Sequence, residues 1–216
     1  ADGKTVGLVP TMGALHDGHL SLIRKANEQN DIVVVSVFVT PIQFNNKEYL
    51  EKYPRTIEAD LDLIKSLELK IKNEAKATQL LAFTPTVEEM YPQGEPKEVY
   101  HFGPIEEVME GPRRPGHFSG VAVVVRRLFD LAQPKRAYFG EKDYQQIAVI
   151  RRMVEDLGLK LQIVPCPVIR EPSGLAMSSR NTLLTDDERI LAAEIYRTLC
   201  ASVDFARHHS VAQTID

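Results

Sequence analysis

Cysteine is scarce in this chain: Cys166 and Cys200 are the only two among 216 residues. They lie far apart in sequence and form no Cys-x-x-Cys pair, so they give neither the ligand spacing of a zinc site nor a disulfide framework. We therefore expect two buried or inert thiols in a protein of a reducing compartment.

Long apolar runs and an excess of positive charge are also missing. The longest apolar runs, Ile32–Val39 and Val121–Val125, fall far short of the roughly 20 residues that a membrane span requires. The opening residues, Ala1–Thr5, do not resemble a secretory signal. A net charge of −4 argues against a nucleic-acid partner, because phosphate neutralisation usually needs a basic face. We expect a cytoplasmic globular protein, with neither membrane nor nucleic acid as a partner.

Apolar runs and amphipathic stretches alternate along the chain. Runs rich in β-branched residues predict strands at Val6–Val9, Ile32–Val39, Leu80–Phe83, Ala137–Phe139 and Leu161–Val168. Stretches with a helical period predict helices at Leu20–Glu28, Ile57–Leu67, Tyr144–Leu157 and, after a capping-box start at Thr185, Arg189–Val203. This alternation predicts an α/β protein with a Rossmann-like, doubly wound and mainly parallel sheet.

The secondary structure of three further segments is less obvious from the sequence. Val121–Arg127 has the composition of a strand, but its apolar residues recur at helical spacing as far as Pro134, which predicts a helix beginning near Phe118. Leu67–Gln79 lacks a clean period and is interpreted as a helix end followed by a surface loop. Pro92–Pro115, rich in proline and glycine, is interpreted as a long excursion from the core, and loops of that length are more often functional than idle.

A domain boundary is expected after the last predicted strand. That strand ends near Arg170, and Glu171–Gly174 has the composition of a turn. We assign residues 1–170 to a nucleotide-binding domain and residues 171–216 to the start of a small C-terminal domain. About 45 residues are too few to fold well alone, so this segment packs on the first domain or belongs to a larger one.

The most informative motif is Val9–His19, which lies between the first predicted strand and the first predicted helix. A strand-loop-helix unit of this kind gathers free N–H groups and the positive end of the helix dipole at one point, where an anion can bind. Gly13 and Gly18 let the backbone approach a ligand closely. His16 and His19 can donate hydrogen bonds to phosphate oxygens. Two nearby histidines could equally be surface residues, and only their context favours a nucleotide site.

A second segment, Met177–Asn181, supplies two hydroxyls and a guanidinium that suit a triphosphate. The alternative is that these residues merely cap a turn. Together the two segments resemble the signatures of the nucleotidylyltransferase superfamily.

Six motifs narrow the resemblance to one family, and they run in register from about Val6 to Thr198. They are Pro10–Leu22, Ser36–Phe44, Tyr53–Thr56, Gly116–Val121, Phe139–Gln146 and Ser178–Asn181. In this order and spacing the chain resembles the pantothenate synthetase (pantoate:β-alanine ligase) family. The resemblance implies that pantoate and MgATP give pantoyl adenylate and pyrophosphate, and that β-alanine then gives pantothenate and AMP.

The resemblance also implies the site residues. His19 matches the family's proton donor, with His16 and Lys142 acting beside it on the phosphates. Gln43 and Gln146 match the positions that bind pantoate, and Gln43 also borders the β-alanine site. The remaining ATP-binding positions would be Met12, Gly13, Ala14, Leu15, Asp17, Gly18, Gly140, Glu141, Asp143, Ile169, Met177, Ser178, Ser179 and Arg180.

Other implied features concern metal and assembly. Asp60 is the positional match to the family's Mg²⁺ carboxylate, although carboxylates on helix surfaces are common. Asp143 could instead serve only as the N-cap of the next helix, and His117 could contact substrate or a local carbonyl group. The family implies a homodimer formed through the N-terminal domain.

The chain departs from the family pattern at three places. One is Leu67–Gln79, where the family normally has a short glycine-bearing link into the next predicted strand. Thr40 stands where the family has asparagine and lacks its amide donor, and the chain ends at Asp216 where the family continues into a larger lid domain. A P-loop is excluded because Gly3-Lys4-Thr5 precedes the first strand. The remaining alternatives are another adenylate-forming or nucleotidylyl-transferring enzyme and a non-catalytic nucleotide-binding module.

Overall fold

A computed structural model of the chain describes residues 3–40, 42, 50–72, 79–94 and 96–215. Five parallel strands form one sheet in the order β3-β2-β1-β4-β5. The strands are β1 (Val6–Thr11), β2 (Ile32–Val37), β3 (Gln79–Phe83), β4 (Arg136–Gly140) and β5 (Gln162–Cys166). All five predicted strands and the doubly wound parallel architecture are therefore confirmed.

Helices cover both faces of this sheet. In the described part of the chain they are α1 (Asp17–Gln29), α2 (Ile57–Lys72), α3 (Val87–Met90), α4 (His117–Ala132), α5 (Tyr144–Asp156), α6 (Asp186–Ala206) and α7 (Val211–Ile215). One core cluster packs β1 against α4 and α5 through Leu8, Val121 and Ile150. The other packs the opposite face against α1 and α2 through Val9, Ile23 and Ile64. Strands buried on both faces explain the continuous apolar runs in the sequence.

Two of the ambiguous segments are resolved by this packing. The stretch with strand-like composition is the helix α4, as its spacing predicts, and nine of its residues are buried. The helix predicted over Ile57–Leu67 is longer than that range and ends at Lys72, inside the segment interpreted as a helix end. Ile64, Leu67 and Ile71 recur at intervals of three and four residues and are all buried in one core, which keeps the helix packed against the sheet. Residues 73–78 lie outside the described residues.

The segment between α3 and α4 leaves the sheet, as expected for the excursion. Its only regular element among the described residues is a 3₁₀ turn at Gly103–Ile105. It returns to the core at Gly116, whose φ of 75° is left-handed and which directly precedes α4. Glycine adopts this conformation without the strain that a Cβ would add.

Beyond Arg170 the chain turns back and then forms α6. Arg170 pairs with Ala176 in an isolated antiparallel bridge, and Glu171 forms a 2.9 Å ion pair with Arg189. Thr185 and Glu188 form the predicted capping box at the start of α6, yet only Ala193 of this helix is buried. The boundary between residues 1–170 and 171–216 stays a prediction.

The structure can be compared with the sequence on two points, the state of the cysteines and the presence of membrane-spanning helices. Both cysteines are unpaired, Cys166 buried and Cys200 exposed. None of the helices in the described ranges combines the length and apolar character needed to cross a membrane.

Candidate active site

A cleft of about 480 Å³ opens at the carboxyl ends of β1, β4 and β5. From β1 the chain adds β2 and β3 on one side and then returns to add β4 and β5 on the other. The order in which strands are added therefore reverses between β1 and β4, while all five strands stay parallel. In open parallel sheets, ligands bind in the crevice outside the strand ends at such a reversal. The fold thus brings the loops after β1, β4 and β5 to one place.

The loop after β1 is held by a buried carboxylate. Asp60, on α2, is 2% exposed, and its Oδ2 and Oδ1 accept hydrogen bonds from the N–H groups of Ala14 (2.9 Å) and Leu15 (2.7 Å). Gly13 (φ 83°) and Ala14 (φ 49°) are both left-handed, which turns these N–H groups toward Asp60. A Cβ at Gly13 would come within 2.9 Å of Asp60 Oδ2, so the tight loop requires glycine there.

The two histidines of the motif form the N-terminal cap of α1. His16 Nδ1 accepts from the Gly18 N–H at 3.1 Å, and His19 Nδ1 accepts from the His16 N–H at 3.2 Å. Their ring centroids are 4.1 Å apart. A Cβ at Gly18 would approach His16 Cε1 to 2.8 Å, so Gly18 makes room for the first ring. The spacing His-x-Gly-His is therefore what this reciprocal cap requires.

This capping fixes the tautomer of both rings, and their surroundings keep them uncharged. A ring whose Nδ1 accepts a hydrogen bond carries its single proton on Nε2 when it is neutral. Burial, followed by the positive charge of Lys142, lowers the pKa of His16. Burial, with smaller effects of His16 and Lys142, lowers the pKa of His19 from 6.5 to about 3. At neutral pH each ring is an uncharged Nε2–H donor at the cleft.

The loop after β4 supplies a cation. Lys142 lies in the 3₁₀ turn Glu141–Asp143, lines the cleft, and its Nζ is 3.0 Å from Asp143 Oδ1. Asp143 occupies the N-cap position of α5, but its side chain makes no capping hydrogen bond. The alternative that Asp143 serves only as a cap is therefore wrong: its carboxylate faces Lys142.

The segment after β5 forms the third wall. The N–H of Met177 donates to Ile169 O at 2.9 Å, which sets the two chain segments side by side. Ser179 is buried, and its hydroxyl donates to Ala14 O at 2.9 Å, tying this wall to the loop after β1. Ser178 Oγ accepts from the Arg180 N–H at 3.3 Å, so Ser178 does cap a turn. Arg180 lines the cleft with its guanidinium 5.6 Å from the Tyr53 ring centroid.

The excursion supplies a wall whose residues the sequence did not identify. Met109, Glu110 and Arg114 line the cleft. Gln145 is 7% exposed; its Nε2 donates to Ile105 O (2.7 Å) and Val108 O (2.8 Å), while its Oε1 accepts from the Glu110 N–H (3.0 Å). The only sequence signals were the length of the excursion and the place of Gln145 beside Gln146.

Most of the predicted site residues meet in this cleft. Those that line it are Met12, His16, Gly18, His19, Gly140, Lys142, Asp143, Gln146, Ile169, Met177, Ser178, Ser179 and Arg180. His117, left between two interpretations, lines it as well. The described positions outside its lining are Gly13, Ala14, Leu15, Asp17, Glu141 and Asp60. Gln43 lies outside the described residues.

Asp60 does not fit the role expected from the resemblance, and Thr40, the departure from the family's asparagine, lies away from the cleft. Both oxygens of Asp60 hold backbone N–H groups, and the side chain is buried away from the cleft lining. This geometry suits a brace for the loop and does not fit a magnesium ligand. Across the described ranges, no group of three or more His, Cys, Asp or Glu residues is placed to hold a metal ion. Thr40 is fully buried beside Tyr91 and does not line the cleft.

Known proteins resemble the chain in sequence over almost its whole length. The model of the pantoate-beta-alanine ligase family matches residues 1–216. A pantothenate synthetase of Bacteroides thetaiotaomicron is 52% identical over 214 residues, which cover 99% of this chain and 72% of that protein. A pantothenate synthetase of Porphyromonas gingivalis is 55% identical over 199 residues, covering 92% of this chain and 67% of that protein.

Two solved structures have folds similar to that of this chain. Pantothenate synthetase from Thermus thermophilus superposes with a TM-score of 0.89 at 49% identity, covering 97% of this chain and 73% of that one. Pantoate-beta-alanine ligase from Francisella tularensis, in complex with beta-gamma ATP and beta-alanine, gives a TM-score of 0.83 at 41% identity. That comparison covers 91% of this chain and 72% of the other.

Proposed function

Because this chain belongs to the pantoate-beta-alanine ligase family, it is an enzyme that joins pantoate to β-alanine with ATP, and we propose that it does so through pantoyl adenylate. The observation that carries this proposal is the convergence of His16, His19, Lys142 and Arg180 on one cleft that also contains Gln146. Donors and cations for a triphosphate thus lie beside a neutral amide for the acid to be activated. Family membership over the whole chain sets aside both alternatives left open by the sequence.

The first step is transfer of the adenylyl group to pantoate. A carboxylate oxygen of pantoate attacks the α-phosphorus, a new O–P bond forms, and the bond from the α-phosphorus to the bridging oxygen breaks. Pyrophosphate leaves with that electron pair. Negative charge shifts toward the bridging and non-bridging oxygens, so donors fixed around them lower the barrier. Lys142, on the short turn after β4, is a compact charge suited to this task.

His16 and His19 act as hydrogen-bond donors in this proposal. Each neutral ring keeps its Nε2–H for a phosphate oxygen because Nδ1 is already occupied by a backbone N–H. Donors held in place by the helix cap need no reorganisation during the reaction, which is the condition for strong electrostatic stabilisation. Before ATP binds, the His19 ring is neutral and presents its Nε2–H as a hydrogen-bond donor. The negative charge of the bound phosphates then raises the pKa of this ring.

Gln146 and Gln43 are the proposed pantoate-binding residues. An amide can hold the hydroxyls and the carboxylate of pantoate without neutralising the attacking oxygen. In the second step the amine of β-alanine attacks the acyl carbon, a C–N bond forms, the amine loses a proton, and AMP leaves with the electrons of the C–O bond. The free energy released by cleavage of ATP to AMP and pyrophosphate thereby drives formation of the amide bond.

The proposed nucleotide substrate is MgATP, with the ion carried by the phosphates, since Mg²⁺ commonly keeps several waters and bridges phosphate oxygens. We assign no step to a protein-bound metal, because Asp60 is engaged with the loop.

The proposed assembly is a homodimer formed through residues 1–170, with residues 171–216 opening the lid domain, as the family resemblance implies. Sedimentation equilibrium tests the dimer, and a monomer at assay concentrations would refute it.

The decisive experiment measures pyrophosphate release by the full-length protein from MgATP, with and without pantoate. We expect release that depends on pantoate, followed by AMP and pantothenate when β-alanine is added. Release without pantoate, or none from a folded protein, would refute the assignment.

Two variants test the assigned roles. His19→Ala and Lys142→Ala are expected to slow adenylation at least about 100-fold, as loss of a donor to the transition state should. Lys65→Ala is the matched control, because Lys65 lies exposed on α2 and pairs with Asp62 at 3.5 Å. Near-normal rates in both cleft variants would show that the roles are misassigned.

A further inference from the structure

The excursion places an arginine at the cleft that the proposed function has not used. Arg114 lines the cleft together with Arg180 and Lys142. Its neighbour Arg113 is exposed and is not part of the lining. The two adjacent arginines therefore differ in position: one faces the site and the other faces solvent.

The position of Arg114 is fixed from both ends of its segment. On one side, the three hydrogen bonds of Gln145 anchor Ile105, Val108 and Glu110 to the start of α5. On the other, the Arg114 N–H donates to Gly111 O at 3.1 Å, and Arg114 O accepts from the His117 N–H at 3.0 Å. His117 is the first residue of α4. An arginine held between two helix starts is preorganised to meet a ligand, which reduces the entropy lost on binding.

The charged neighbours of Arg114 include a second arginine of the cleft. Burial, followed by the positive charge of Arg180, lowers the pKa of Arg114, while Glu110 and Asp143 act in the opposite direction. Lys142, by contrast, is the cation that acts on both His16 and His19. Arg180 is thus the cation that acts on Arg114, and Lys142 is the cation that acts on the two histidines.

The carboxylates of Glu110 and Asp143 act on Arg114 from within the protein, but they do not form close ion pairs with it. In the described part of the chain, neither guanidinium forms an ion pair with a carboxylate. Two neighbouring cations in a partly enclosed cleft repel each other, and a bound polyanion removes that repulsion. Guanidinium groups suit this task because their fork of N–H donors matches phosphate oxygens in pairs.

We propose that Arg114 is a further substrate-binding residue that, with Arg180, holds the β,γ-diphosphate of ATP, the part that leaves as pyrophosphate. This inference rests on the proposed function for the identity of the leaving group. It assigns Lys142 and the histidines to the α-phosphate and the arginine pair to the departing end of the nucleotide. The excursion then serves to close the phosphate end of the cleft with a charge from outside the sheet.

The test is calorimetric titration of the full-length protein with inorganic pyrophosphate, ATP and AMP. Arg114→Gln is expected to weaken binding of pyrophosphate and ATP at least about tenfold, as loss of charge-assisted hydrogen bonds should, and to change AMP affinity less than twofold. Arg113→Gln is the matched control and should leave all three affinities unchanged. Arg114→Lys, which keeps the charge and loses the fork, should give a smaller loss and serves as the readout if the glutamine variant folds poorly.

Unchanged pyrophosphate affinity in Arg114→Gln or, where that variant does not fold, in Arg114→Lys would overturn the inference. A rise in the KM for pantoate with unchanged ATP and pyrophosphate affinities would also overturn it and would place Arg114 on the acid. Failure of the proposed function is detected separately, because pyrophosphate release by the unmodified protein then does not depend on pantoate. Titration with pyrophosphate requires no turnover and is informative in either case.

Discussion

Replacing Asp60 by asparagine would remove one of the two acceptors that hold the loop after β1. In the unmodified protein, Oδ2 and Oδ1 lie 2.9 Å and 2.7 Å from the nitrogens of Ala14 and Leu15. An asparagine keeps one oxygen and turns an NH₂ group toward the second N–H. One buried N–H then loses its partner, and two donors face each other.

The expected cost follows from these contacts. A hydrogen bond to a charged group contributes about 1.5–3 kcal/mol, and a buried donor left without a partner costs about 1–3 kcal/mol. We expect Asp60→Asn to lower the free energy of unfolding by about 2–4 kcal/mol. With a urea dependence of about 2 kcal/mol per M, the unfolding midpoint falls by about 1–2 M.

The assay is urea unfolding of the full-length protein in EDTA and again in excess Mg²⁺. Asp62→Asn is the matched control, because Asp62 lies on the same helix with its side chain 79% exposed, and it should unfold like the unmodified protein. An unchanged midpoint for Asp60→Asn in EDTA would refute the brace. A loss of stability that occurs only in Mg²⁺ would show instead that the carboxylate serves a metal.

Three further predictions concern Gln145, Gln43 and His19. Gln145→Met keeps the side-chain volume but removes three hydrogen bonds to the excursion, so we expect the KM for ATP to rise about tenfold with kcat changed less; steady-state kinetics check this, and an unchanged KM contradicts it. Gln43→Ala should raise the pantoate requirement while ATP binding stays nearly intact; equal weakening of both contradicts the assignment. The pKa of His19 is about 3 in the folded protein against 6.5 for an unperturbed histidine, so the unfolded chain binds the extra proton, and stability falls as pH drops below 6.5. Between pH 7.5 and pH 5 this loss is about 2 kcal/mol, measured as a change in urea midpoint that His19→Asn should lack; an equal loss in that variant rules out His19 as the source.

Local patterns in the sequence were enough to predict the fold. Strands buried on both faces need continuous apolar runs, and amphipathic helices need a period near 3.6, so both leave marks within a few residues. The helix α4 shows how this works, because its composition suggests a strand while its spacing predicts the helix that forms. The motif His16-x-Gly18-His19 is local in the same sense, since its residues cap the helix that they begin.

What only the tertiary structure decided are the contacts between residues far apart in the chain. Ser179 and Ala14 are 165 residues apart, and their hydrogen bond joins two walls of the cleft. Asp60 serves the loop after β1 only because α2 packs on the sheet with its first turn beside that loop. Gln145 and Gln146 are neighbours of one type, and one anchors the excursion while the other lines the cleft because a helix turns successive side chains about 100° apart. The sequence by itself determined the sheet, the helices and the chemistry of the motifs; the path of the chain determined which polar groups meet, because a partner at long range leaves no periodic signal at either residue.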